Sequence, residues 1–81
     1  MSLAFHYRAV SDTSWTTIQE PTERCYDLQS DASFAHNKTN FKALLYTTRS
    51  CNEAHLHHAL IPNETWDGGL TTIKSVRFEA S

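Results

Sequence analysis

The chain has 81 residues, a net charge of −2 and lysines and arginines dispersed singly, which makes it one domain near the lower end of what folds unaided. That charge pattern excludes the basic stripe of a nucleic-acid binder, and no apolar run is long enough to span a bilayer. Only two glycines are present, both in one turn, which excludes a glycine-rich phosphate loop.

A core this small supplies roughly 3–5 kcal/mol, so a covalent staple matters. Cys25 and Cys51 are the only cysteines, and neither belongs to a CxxC or Cys/His pair at zinc spacing. They are expected to close on each other, which places the protein in an oxidising, extracellular compartment. There is no secretory apolar region, so an exported chain would be the mature form, with Met1-Ser2-Leu3 an expression start in place of a removed signal.

Ten threonines, eight serines and many aromatic residues suit half-exposed strands. Ala4–Val10 alternates Phe5, Tyr7 and Ala9 against His6 and Arg8, as a strand with one buried face does. Turn formers at Ser11–Ser14 lead to a second strand, Trp15–Gln19, so the two read as a hairpin. Pro21 ends that run. Arg24–Gln29 places Tyr26 and Leu28 on one face, with Cys25 and Asp27 on the other. Ser30–Asn40 reads as a polar, irregular excursion anchored by Phe34 and left free for a partner. Phe41–Thr47 is the most strand-like segment, and its nearly uncharged FKALLYTT reads as an exposed edge. His55–Ile61 reads as a strand, with a short helix over Glu53–Leu60 as the alternative. Asp67-Gly68-Gly69 is a turn signal of the type that needs positive φ at both central residues. Leu70–Phe78 closes the domain, with a bulge expected near Lys74-Ser75, because Ile73 and Val76 fall on opposite parities. About six short strands at this spacing predict an all-β sandwich or barrel in one domain, residues 1–81.

The pattern C-Y-x-L, an Asn/Thr-rich link, a strand carrying Leu45-Tyr46, a second cysteine and a closing Ser75-Val76-Arg77-Phe78 resembles small secreted microbial proteins of the actinomycete type with a βγ-crystallin-like appearance. The resemblance covers Cys25–Phe78 and implies an exported Greek-key β domain with a cysteine bridge and no shared catalytic residues. Some crystallin-like modules hold calcium in a loop that Asp67–Thr72 matches only in part: Gly68 stands where a second side-chain ligand is expected, and Thr72 replaces the final serine.

His55-Leu56-His57-His58 is the sharpest local cluster. On a strand, His55 and His57 project to one side, where they could share zinc, copper or nickel, given a third ligand from Glu53, His6 or His36. Asn37-Lys38-Thr39 and Asn63-Glu64-Thr65 fit the N-glycosylation pattern, which matters only in a eukaryotic source. Trp66, in a polar stretch, and Asn37 are candidate ligand-binding residues, whereas Trp15 and Tyr46 read as core. Arg49, just before the second cysteine, heads the candidate inhibitory loop Thr47–Glu53.

No G-x-S-x-G or H-E-x-x-H is present. The expectation is therefore a secreted, non-enzymatic binding or effector module without a cofactor, directed at a protein (a protease among the candidates) or a carbohydrate. Neither nucleic acid nor membrane is an expected partner. The alternatives are an assembly protein that oligomerises through strand edges and a histidine-based metal module.

Overall fold

The computed structural model describes Leu3–Ala80; of the expected expression start Met1-Ser2-Leu3, Met1 and Ser2 lie outside the described residues. In chain order the strands are β1 (Ala4–Arg8), β2 (Thr16–Gln19), β3 (Cys25–Ala32), β4 (Phe34–Lys38), β5 (Phe41–Tyr46), β6 (Leu56–Leu60), β7 (Thr65–Asp67) and β8 (Ile73–Ala80). Two single 3-10 turns, Arg49–Cys51 and Glu53–His55, separate β5 from β6.

The strands form two antiparallel four-stranded sheets, sheet A in the order β2-β1-β4-β7 and sheet B in the order β3-β8-β5-β6. Each half of the chain gives its first, second and fourth strands to one sheet and its third strand to the other. The halves are therefore locked by exchanging β3 and β7. Phe5, Tyr7, Ala35 and Trp66 from sheet A meet Leu28, Leu45, Leu60, Ile73, Val76 and Phe78 from sheet B in one core. Phe5 and Phe78 make an edge-to-face contact across it, with ring centroids 5.4 Å apart, a geometry that adds to plain burial. The result is a disulfide-bonded β-sandwich.

A polar tie also crosses the core. Asn37 on β4 is fully buried, and its Nδ2 donates to the carbonyls of Phe41 (2.8 Å) and Leu60 (3.1 Å) in sheet B. Its Oδ1 accepts from the backbone N and the hydroxyl of Thr39. A buried amide is tolerated only when its donors and acceptors are filled in this way.

Part of the outer face of sheet B, around Leu44 and Tyr46, is covered by the chain itself. After β5 the backbone turns back over that face, and Cys51 reaches Cys25 with Cα atoms 6.1 Å apart. Beneath it Leu44, Tyr46 and the bridge form a second small cluster. Ser50 and Cys51 both take left-handed backbone angles (φ 64° and 51°), a cost of roughly 1–3 kcal/mol each for non-glycine residues. They are held there by Asp27 Oδ1, which accepts from Ser50 N (2.7 Å), and by Ser75 Oγ, which accepts from Cys51 N and donates to the carbonyl of Thr48.

Several expectations change. There are eight strands among the described residues rather than six. The excursion Ser30–Asn40 is not free: β3 runs on to Ala32, and Phe34–Lys38 is β4, paired on both sides. The segment FKALLYTT is no edge, since β5 lies between β8 and β6. Only Gly69 of the glycine pair has positive φ, so the turn closed by Thr71 N and Gly68 O is not the one expected. The irregularity falls opposite Lys74, but its extra residues are on β3, between Asp27 and Ala32. The strand expected over His55–Ile61 forms as β6, Leu56–Leu60, and the alternative helix is confined to one 3-10 turn before it.

Candidate functional site

The segment that covers part of sheet B has no counterpart over the outer face of sheet A among the described residues. On sheet A the inward residues of β1 and β4 are Phe5, Tyr7, Ala35 and Asn37, so alternation turns His6, Arg8, Phe34, His36 and Lys38 outward. The register lines them up in rows. Thr17, His6, His36 and Thr65 lie opposite one another across four strands, and Arg8 lies opposite Phe34, which lies opposite Asp67.

At the end of the second row stands Trp15, immediately before β2. It is 48 % exposed. The Arg8 guanidinium carbon sits 5.2 Å from the Trp15 ring centroid and 4.4 Å from that of Phe34, so both rings attract the cation. Arg8 Nη1 donates to the carbonyl of Asp12 at 2.7 Å, which anchors the group to the β1–β2 turn. Among the described residues the ion pair is Lys74 with Asp31, elsewhere, and no carboxylate pairs with Arg8. The turns that carry Val10 and Leu70, both strongly exposed, leave β1 and β7 at this same end of sheet A.

The middle row is polar. His6 Nδ1 lies 2.8 Å from Thr17 Oγ1, and the His6 and His36 rings are 6.4 Å apart. Burial, then Lys38 and His6, hold the His36 pKa below its ordinary value of 6.5. Two imidazoles and two permanent cations, Arg8 and Lys38, therefore share one face.

The residues singled out in the sequence are distributed differently. Cys25 and Cys51 are bridged. Trp66 is not in a polar loop: it lies on β7 with 8 % exposure, packed into the core, its ring edge-to-face with His57. Trp15, expected in the core, is the exposed one, while Tyr46 is buried as expected. Asn37 spends its amide inside the protein, so it is neither an accessible ligand contact nor an accessible glycan acceptor in the folded state. Asn63 is exposed in the turn before β7, with φ 71°.

His55 lies in the 3-10 turn and His57 on β6, so the two do not share one strand face, and among the described residues no three His, Cys, Asp or Glu side chains come together. Asp67 Oδ1 accepts from Gly69 N, a contact that closes its own turn. Arg49 is exposed but sits in a 3-10 turn, its Nη1 3.5 Å from the Leu28 carbonyl, rather than on extended backbone. Asp27 and Asp31 serve structural contacts, to Ser50 N and Lys74.

Arg8, Trp15 and Phe34 were not singled out as a site by sequence reasoning. The available signal was the outward parity of Arg8, combined with a hairpin register that sets Trp15 opposite it. No family model matches the chain, and no match was found among curated proteins or solved structures.

Proposed function

We propose that this protein is an extracellular, non-enzymatic binding module whose contact surface is the outer face of sheet A, centred on Trp15, Arg8 and Phe34. One observation carries the reading. The chain covers part of the outer face of sheet B with its own disulfide-pinned segment but leaves sheet A open, with a large aromatic side chain and a stacked cation at its end. Exposed Trp and Arg of this kind are the residues that dominate binding surfaces. The bridge suits an oxidising compartment.

The resemblance to secreted βγ-crystallin-like proteins belongs to the same proposal. The exchange of the third strand between the two halves supports a paired Greek-key reading, in which each half is one key. On this scaffold the two keys differ in use. One is closed over in part by its own loop, and the other presents its face. The protease-inhibitor version is weaker, because a protease cleft takes extended backbone and Arg49 lies in a turn.

Fluorescently labelled wild-type and Trp15→Ala domains, applied in parallel to a glycan array and to immobilised surface proteins, test the proposal. Wild-type binding that the variant loses supports the sheet A face. Binding that survives Trp15→Ala unchanged places the contact elsewhere.

A further inference from the structure

We infer that the stacked Arg8 is a carboxylate receptor and that the ligand of this face is an acidic saccharide, one carrying uronate-type carboxylates; this rests on the proposal that the outer face of sheet A is the contact surface. Three features of Arg8 point the same way. The rings of Trp15 and Phe34 both lie against its guanidinium, so aromatic contacts from two neighbouring segments hold the group. Among the described residues its hydrogen bonds run from Nη1, to the carbonyls of Ala9 and Asp12, which leaves the Nε–Nη2 edge as its remaining donor pair there. No carboxylate of the described residues pairs with it. A planar fork already immobilised, with its side edge unspent, matches the two oxygens of a carboxylate and loses little conformational freedom on binding.

The surroundings select among carboxylates. Beside the fork lies the half-exposed Trp15 ring, a flat apolar surface on which the C–H face of a pyranose can rest while its substituent carboxylate reaches Arg8. Along the same face His6, Thr17, His36 and Thr65 form a polar row, able to donate to and accept from hydroxyls, and Lys38 adds a second cation. The nearest acid in the register, Asp67, has Oδ1 engaged by Gly69 N. An acidic peptide would use the fork and the charge but would have less use for a ring platform beside a row of hydroxyl-binding groups. The saccharide is therefore the better fit.

The experiment titrates the 15N-labelled domain with short oligogalacturonates, with the same oligomers fully methyl-esterified, and with oligoglutamate, following the Trp15 indole N–H resonance. The acid form should shift it saturably, the ester should bind about ten-fold more weakly, and oligoglutamate should not saturate. Arg8→Gln should abolish the preference for the acid over the ester. Arg8→Lys, which keeps the charge without the fork, should recover only part of it. Equal binding of acid and ester, an unchanged preference in Arg8→Gln, or oligoglutamate matching the saccharide would overturn the inference. Ester binding as tight as acid binding, and still dependent on Trp15, would remove the carboxylate receptor while leaving the sheet A surface standing. Absence of any Trp15-dependent binding, here and on the arrays, would remove both.

Discussion

Replacing Asn37 by alanine tests the internal architecture most sharply, because one side chain ties sheet A to sheet B. The carboxamide fills the carbonyls of Phe41 and Leu60 with its two N–H groups and accepts from Thr39 twice, all without solvent. Truncation leaves at least the Thr39 backbone N and the Leu60 carbonyl short of these partners, since Phe41 O keeps the Thr39 hydroxyl at 3.3 Å. Each buried orphan costs about 1–3 kcal/mol, so Asn37→Ala should lose about 2–5 kcal/mol, a large share of a small domain's stability. Asn37→Asp should be at least as damaging at neutral pH, because an acceptor-only carboxylate then faces two carbonyls. Burial raises that carboxyl's folded pKa above its unfolded value of about 3.9, so its deficit relative to wild type should shrink as pH falls. Urea unfolding of the oxidised protein, with wild type measured at each pH, gives both quantities. A loss below about 0.5 kcal/mol for Asn37→Ala, with no pH dependence for Asn37→Asp, would refute the reasoning, since that is the range of ordinary surface substitutions.

Four further outcomes are expected. Removing the bridge with Cys25→Ala/Cys51→Ala should cost about 3.5 kcal/mol in the chain-entropy account of a loop this long, and hydrogen exchange should localise the opening to the cover over Leu44 and Tyr46 rather than to sheet A. The His36 pKa is lowered by burial, then by Lys38 and His6, so the unfolded chain takes up the proton more readily; His36 therefore lends no penalty above about pH 6.5, and stability should fall as pH drops below that value. His36→Gln should flatten that slope in unfolding free energies measured on either side of it. In a glycosylating host, intact mass of the folded, secreted product should show a glycan at Asn63 and none at Asn37. Gly68→Ala would drive a methyl group into the Trp66 ring and the Thr71 carbonyl, and thermal unfolding should report a destabilisation of about 1–3 kcal/mol.

How much of this was legible in the sequence depended on how local the cause was. The alternation of Phe5 and Tyr7 against His6 and Arg8 gave β1 and its faces correctly, and the isolated pair of cysteines gave the bridge. β4 was missed because its inward residues are Ala35 and Asn37, one small and one polar, so Phe34–Lys38 has no hydrophobic period. β7 is three residues long, too short to alternate, and its polar flanks disguised Trp66 as a loop residue. The status of β5 was set by a distant event, the return of β8 between β3 and β5, which no local pattern announces. The site was hidden for a related reason. Arg8 was already on the outward parity, but placing Trp15 against it requires the β1–β2 register, which pairs Tyr7 with Thr16.

The most direct test of the contact surface is an amide chemical-shift map of the domain with the array ligand that binds it best. The account predicts shifts confined to the outward residues of β1, β2 and β4 and to the turns beside them, with Trp15, Arg8, Phe34 and His36 foremost. Shifts concentrated at Thr47–Glu53 around Arg49, with sheet A silent, would contradict it.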